Sequence, residues 1–185
     1  PEAAGARTLI DTQRELPQAL VQRLIDADLF RLLLPRDYGG RELALSEHVR
    51  IVEAMGRYDA SAGWCLGQNN VCATVAAYLD PDTAREIFNG PGAILAWGPG
   101  PGEARVTDEG WVLNGSFEFA SGSRHASWLG AHVPVIGQDG ERRTGPDGKP
   151  CPFTLLFPRT DVEVEDTWHV LGLRGTGSDS YVADH

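Results

Sequence analysis

Residues 109–131, EGWVLNGSFEFASGSRHASWLGA, decide how this chain is read. From Trp111 to Phe119 apolar and polar residues alternate with period two, the pattern of a strand with one buried face. Asn114-Gly115 has the composition of a tight turn, so the spacing predicts a strand pair over 111–114 and 116–119. A short polar bend follows, Ser121-Gly122-Ser123-Arg124-His125, and a further strand-like run begins at Trp128. Hydroxyls, backbone amides, an arginine and a histidine beside aromatics suit a polarised ring system as ligand. On its own, though, the bend fits better a loop whose hydroxyls satisfy nearby backbone groups.

Outward from this stretch the period of two persists. Runs rich in β-branched and aromatic residues recur at 93–97, 104–107, 128–136 and 153–157. Residues 138–152 are polar and rich in Gly and Pro, and read as a mobile loop. A succession of short strands of this kind fits a small barrel or sandwich.

Before residue 92 the period is helical. Leu20, Val21, Leu24, Ile25 and Leu29 share one stripe, which Leu34-Pro35 interrupts. Tyr38-Gly39-Gly40 then makes a bend that glycine takes cheaply. Ser46 is placed to cap a second helix that buries Ile51, Val52, Met55 and Tyr58. A third carries Trp64, Val71, Val75 and Tyr78 at helical spacing, and these stripes are expected to be core. Gln68-Asn69-Asn70 interrupts the third, and buried amides there need partners. Asp80-Pro81 reads as a cap followed by the first helical residue. The short helix so begun runs through Ile87-Phe88. The expected class is therefore α+β, with a helical domain over residues 1–92 and a β-barrel domain over 93–185.

Composition narrows the functional classes. The 185 residues are 42% hydrophobic and 23% charged with net charge −10, the balance of a globular protein. Without concentrated Lys and Arg, nucleic acid and anionic membranes are poor partners. No apolar run approaches the ~20 residues of a membrane span. Cys65, Cys72 and Cys151 form no CxxC pair, and an odd number without a signal-like start points to reduced thiols in a cytoplasm. Pro1 in place of Met points to a trimmed or processed front, and the strand beginning near Tyr181 to something that follows the chain.

Several chemistries find no support. His125, His132 and His169 are too scattered for a metal site, and His132 reads as a solvent-facing or locally bonded strand residue. No strained G-x-S-x-G elbow is present. Gly175-Thr176-Gly177 is too short for a dinucleotide fingerprint. In Gly98-Pro99-Gly100-Pro101-Gly102 the alternation fits a rigid loop rather than a phosphate-cradling helix start. Arg174 and Ser178 either bind an anion or shape a turn.

Taken together, four stretches resemble the acyl-CoA dehydrogenase superfamily: LIDADLFRLLLPRDYGGREL at 24–43, the aspartate–small–tryptophan turn at 59–64, GWVLNGSFEFASGSRHASW at 110–128 and LGLRGTGSDS at 171–180. The resemblance covers the chain from about Leu16 to its end. It implies a helical domain, a middle β-barrel and a C-terminal four-helix bundle in a dimer or tetramer, with flavin between barrel and bundle. Only the first two parts are expected here, and the bundle, which supplies the family's catalytic base, is expected to be absent. Dehydrogenases of the family carry a Thr-Glu-Pro pattern where this chain reads Ala96-Trp97-Gly98-Pro99. They carry a Trp-Ile-Thr-Asn-like run where it reads Phe119-Ala120-Ser121-Gly122-Ser123. This wording is similar to the hydroxylase-like branch, the two-component flavin-dependent monooxygenases that receive reduced flavin from a separate reductase.

The resemblance implies reduced FMN or FAD as cofactor, C4a-hydroperoxide chemistry with O₂, and a small aromatic or heteroaromatic substrate. It places Ser121 at the flavin as the catalytic residue, its hydroxyl or a neighbouring amide bonding near N5, with Trp97, Gly98, Gly122, Ser123 and Trp168 also at the cofactor. Trp64, Asn69 and Asn70 would approach the substrate from the helical side. No metal is implied. Partners implied are a reductase, a C-terminal bundle or partner subunit, and further copies of the chain. Two other readings stay open: an acyl-CoA dehydrogenase-type FAD oxidoreductase, and a non-catalytic chain of this fold that binds a flavin or a partner.

Overall fold

The computed structural model describes residues 5–184; Pro1 and His185 lie outside them. Among the described residues five α-helices come first: α1 Arg7–Gln13, α2 Gln18–Asp26, α3 Leu45–Tyr58, α4 Ala60–Ala73 and α5 Pro81–Ile87. Eight strands follow: β1 Leu95–Trp97, β2 Gly102–Thr107, β3 Gly110–Ala120, β4 Trp128–Val133, β5 Val135–Ile136, β6 Phe153–Pro158, β7 Glu163–Glu165 and β8 Asp179–Asp184. They form two sheets, ordered β1-β4-β6 and β5-β2-β3-β8-β7. The expected α+β class is observed. No helix among the described residues is long and apolar enough to cross a membrane.

The 109–131 stretch forms differently from expectation. Asn114-Gly115 is not a turn, because β3 runs unbroken through it and the hairpin turns at Asp108-Glu109. Asn114 and Gly115 are paired on both sides, with Glu103 and Gly102 of β2 and with Asp184 and Ala183 of β8. Gly115 is needed for close approach: a Cβ there would meet the Phe117 ring and the Gly102 backbone. The expected strand over 128–136 is cut at Pro134, where β4 leaves for one sheet and β5 joins the other. Proline has no N–H to give a ladder. Within 138–152, bridges join Ile136 to Arg142 and Thr144 to Pro150.

Among the helices, Asp80 caps α5 as expected, accepting from Asp82 N and Thr83 N at 3.0 and 3.2 Å. The α3 cap is not Ser46. The helix starts at Leu45, and Glu47 accepts from Ala44 N at 3.1 Å. Tyr58 is exposed, with Ile51, Val52 and Met55 only half-buried. The expected core stripe of α4 is also overturned: Trp64, Val71 and Tyr78 are exposed. Its buried face is built instead from Ala62, Cys65, Leu66, Asn69, Asn70, Cys72 and Ala73. Small residues face inward because α4 lies close against α3, where a Cβ on Gly63 would strike the Gly56 backbone.

One core joins both parts. Phe30, Cys65 and Leu66 pack in the same cluster as Ile94, Phe117, Leu129 and Tyr181. Phe117 and Tyr181 stack at 5.1 Å, and the Tyr181 hydroxyl donates to the Gly130 carbonyl, tying one sheet to the other. Asn70, fully buried, holds the helical end. Its amide donates to Leu29 O and Leu66 O at 2.8 and 2.9 Å and accepts from Leu32 N at 2.7 Å.

Replacing Asn70 with Leu, similar in volume, is expected to lower stability by roughly 3 kcal/mol, since it strands buried N–H and C=O groups. Urea unfolding measures this, and a loss below about 1 kcal/mol would contradict the role given to the amide.

Candidate functional site

Between α4 and the strands lies a cavity of about 560 Å³ whose walls include Trp64, Trp97, Phe119 and Trp168. Trp97 meets His132 edge-on at 5.2 Å, and Phe119 meets Trp168 edge-on at 6.1 Å. Phe119 reaches this wall through a break in the β3–β8 register between Phe117 and Ala120. Its φ of +60° lies in the left-handed region, uncommon for a bulky residue. The break turns its ring out of the strand alternation and into the cavity wall.

Residues 98–102 form the adjoining edge, and their Gly-Pro alternation has a direct cause. The Pro99 and Pro101 carbonyls accept from Glu118 N and Ser116 N at 2.9 and 3.1 Å. Gly98, Gly100 and Gly102 press against the Glu118, Ser116 and Asn114 carbonyls, where a Cβ would collide or crowd. Proline needs no N–H partner here, and glycine leaves the room.

Ser121 sits at the centre. Its Oγ accepts from Trp64 Nε1 at 2.8 Å and lies 2.8 Å from Ser178 Oγ. Ser178 Oγ in turn lies 2.6 Å from Thr176 Oγ1, which donates to Leu173 O at 3.0 Å. The rest of the bend is structural. Ser123 Oγ donates to Gly177 O at 3.1 Å, and Gly122 N donates to Thr176 O at 2.9 Å. Gly122 takes φ +83°, and a Cβ there would strike Asn69 and His125. Asn69, buried beneath, donates to Leu95 O at 2.8 Å and to Ser121 O at 3.3 Å. Its Oδ1 lies 3.1 Å from His125 Nε2. Because the Asn69 NH₂ is spent on carbonyls, the imidazole must donate to Oδ1. Burial pushes the His125 pKa down to about 4, so the ring is neutral at pH 7.

An ion-pair cluster positions Trp168. Arg124 donates from Nε and Nη2 to the buried Asp179 carboxylate. Asp179 Oδ1 also accepts from Thr167 N and Trp168 N at 3.1 and 3.0 Å. Arg124 and Arg14 both reach Asp166, at 2.7 and 2.6 Å. The hydrogen bond from Arg14 leads in holding the Asp166 carboxyl down at about 2. Trp168 Nε1 donates to Leu173 O at 2.9 Å.

Of the residues singled out in the sequence, Trp64, Trp97, Ser121 and Trp168 meet in this cavity. Gly98, Gly122 and Ser123 shape its wall from behind. Asn69 and Asn70 do not line it; their amides are consumed inside the fold. Arg174 shapes a turn, donating to Val170 O and Asp11 O. Phe119, His132 and Thr176 line the cavity without having been named as site residues, and so does Ser178, named only as an anion ligand or turn residue. His132 is locally bonded, through Nδ1 to the Thr154 hydroxyl at 2.9 Å. The alternation that put Val133 inward left His132 on the other face, yet only the fold shows that this face meets Trp97.

The fold is shared with proteins of known structure. Residues 2–87 match the model of the acyl-CoA dehydrogenase N-terminal domain, and the chain belongs to the acyl-CoA dehydrogenase superfamily. It is 31% identical over 185 residues to the oxygenase subunit of a flavin-dependent monooxygenase, HsaA, of Mycobacterium tuberculosis, covering 98% of this chain and 45% of that one. It is 30% identical over 175 residues to the oxygenase component of an FADH₂-dependent resorcinol hydroxylase of a Rhizobium species, covering 92% and 41%. The solved structure of XiaF from a Streptomyces species, in complex with FADH₂ and glycerol, superimposes with TM-score 0.88 at 28% identity, covering 98% and 45%. The chain thus spans less than half the length of these relatives.

Since the folded-state pKa of His125 is depressed, the stability it contributes is present above about pH 6.5 and is lost as pH falls towards about 4. The loss is as much as ~3 kcal/mol. Urea midpoints measured across that window should fall for the natural chain and fall much less for His125→Gln. Parallel profiles for the two would contradict the assignment.

Proposed function

We propose that this cavity binds the ring system of a reduced flavin, FMN or FAD, and that the chain serves a flavin-dependent monooxygenase acting on a small aromatic or heteroaromatic substrate. The observation that carries the reading is the Ser121 hydroxyl, held between Trp64 and Ser178 in a pocket walled by aromatic rings. A flat heteroaromatic ring needs such faces and a few fixed polar groups, in a pocket of roughly 300–1,000 Å³. These residues fit it. The names of the relatives at 30 and 31% identity support the same class.

When bound, the reduced flavin supplies the electrons that activate O₂ for transfer of one oxygen atom. This chain's residues bind, orient and exclude water. Ser121 offers a fixed hydrogen-bonding atom to the ring edge, a group that needs no reorganisation during reaction. Trp97 and Trp168 supply apolar walls, and Trp64 lies on the side from which the substrate approaches. Gly98, Gly122 and Ser123 act through the backbone they place. No catalytic base is assigned to this chain.

Trp64, Phe119 and Leu173 remain exposed around the cavity, at 46%, 58% and 41%. A grouped apolar surface of this kind is a place for further protein. Helices from a further segment or a partner subunit would close it, in a homo-oligomer located in the cytoplasm, with a separate reductase supplying flavin. Residues 1–92 and 93–185 are proposed as two domains that share the cavity. The stretch Ala96-Trp97-Gly98-Pro99 argues for the monooxygenase over an acyl-CoA dehydrogenase, because it stands where the dehydrogenases carry Thr-Glu-Pro.

Anaerobic titration with reduced FMN and FAD, followed by O₂ and a phenol, tests this in the chain with any following segment retained. Reduced flavin is expected to bind, and the phenol to be hydroxylated. Ser121→Ala is expected to weaken reduced-flavin binding roughly fivefold, the worth of one hydrogen bond, and to divert oxygen to H₂O₂. Failure of flavin to bind in either redox state would overturn the reading.

A further inference from the structure

Four contacts join Trp64, Ser121, Ser178, Thr176 and Leu173 in one line. Its two ends are chemically fixed. An indole N–H only donates and a backbone carbonyl only accepts, while each hydroxyl has one hydrogen and two lone pairs. Thr176 spends its hydrogen on Leu173 O, so Ser178 must donate to Thr176. Ser121 must then donate to Ser178, while accepting from Trp64. No other assignment satisfies all four contacts. The Ser121 oxygen is left with one lone pair and no hydrogen for anything that meets it in the cavity.

We propose that this ordered line makes Ser121 an obligate acceptor, and that Thr176 and Ser178 are thereby positioning residues that set the site's preference for reduced over oxidised flavin. The inference rests on the reading above, that a flavin's N5 edge meets Ser121. In oxidised flavin N5 carries only a lone pair, and in reduced flavin it carries a hydrogen. The reduced ring therefore finds a partner in Ser121 as it stands. The oxidised ring obtains a donor only if all three hydroxyls turn round.

That reversal has a definite cost. Ser121 would donate to the flavin, Ser178 to Ser121 and Thr176 to Ser178, leaving the Thr176–Leu173 bond unmade. Leu173 O would still keep Trp168 Nε1 and Thr176 N as donors. The difference between the two directions is thus one neutral hydrogen bond, roughly a fivefold factor in binding.

Thr176→Val removes the end of the line while leaving the Ser121 and Ser178 hydroxyls in place. Ser178 is then free to donate to Ser121, and Ser121 to the cavity. Dissociation constants for oxidised and reduced FMN, measured on the same protein, are expected to show the preference for reduced flavin falling roughly fivefold in this variant. The midpoint potential of the bound flavin would fall by about 20 mV, from ~30 mV per tenfold for a two-electron couple. Thr176→Ser should restore both, and Ser178→Ala should act in the same direction as Thr176→Val.

Oxidised 5-deaza-FMN, with C–H in place of N5, provides the control. Its affinity is expected to be unchanged by Thr176→Val, whereas oxidised FMN binds more tightly. An equal change for both would show a merely structural role and overturn the proposal, as would an unaltered preference in a variant that still binds both redox states. If wild type binds neither state, the flavin reading itself fails and this inference falls with it. A variant that binds neither, beside a wild type that binds both, is resolved by Thr176→Ser: without restored preference the proposal fails.

Discussion

Two adjacent carboxamides, Asn69 and Asn70, lie on the buried face of α4, where water cannot reach them. A buried amide without partners costs several times what a made hydrogen bond contributes, so everything around α4 must supply those partners. Asn70 takes the turn at residues 29–33 and fixes the helical part to itself. Asn69 takes Leu95 O, the backbone of Ser121 and the ring of His125. Next to each other on one helix, they couple the helical half to the first strand and to the bend. Trp64, one and a half turns earlier, is consequently delivered to the Ser121 hydroxyl.

The bend at residues 121–125 divides its work among neighbours that look alike in sequence. Ser123 is fully buried and bonds a backbone carbonyl, as an ordinary loop serine does. Ser121, two residues away, faces the cavity with its hydroxyl bonded only to side chains. Both follow the break in β3, and the turn between them, with Gly122 at φ +83°, separates the two fates. Arg124 points away from the cavity altogether, to Asp179, and through that carboxylate holds the Trp168 backbone. A residue that resembles an anion ligand is therefore part of the scaffold for an aromatic wall.

This explains what was legible in the sequence and what was not. Helical and strand halves and the Asp80 cap followed from period and local chemistry, and the meeting of Ser121, Trp64, Trp97 and Trp168 in one cavity from the family resemblance. The α4 stripe misled because hydrophobicity marks surfaces that leave water without saying whose surface covers them. Small residues and satisfied amides took the inner face instead. Asn114-Gly115 misled because a glycine that admits a neighbouring backbone is spelled like one that turns the chain. His132, Phe119, Thr176 and Ser178 needed the third dimension: two come from strands in different sheets, and two from a segment more than 50 residues beyond the bend.

The Gly-Pro run at 98–102 shows how backbone alone can set a site. Strand β3 would pair there with an ordinary strand, whose N–H groups and side chains would need partners and space. Alternating proline and glycine removes both demands, since the prolines bring only carbonyls and the glycines bring no Cβ. The segment can then lie flat on β3, and Trp97 just before it is left as the large side chain at that edge, half-buried against His132. On the proposed reading, flavin selectivity is likewise a backbone property at one remove. The hydroxyls of Ser121, Ser178 and Thr176 are interchangeable in kind, and any of them can donate either way. It is the Leu173 carbonyl, with no hydrogen to give, that points the whole line in one direction.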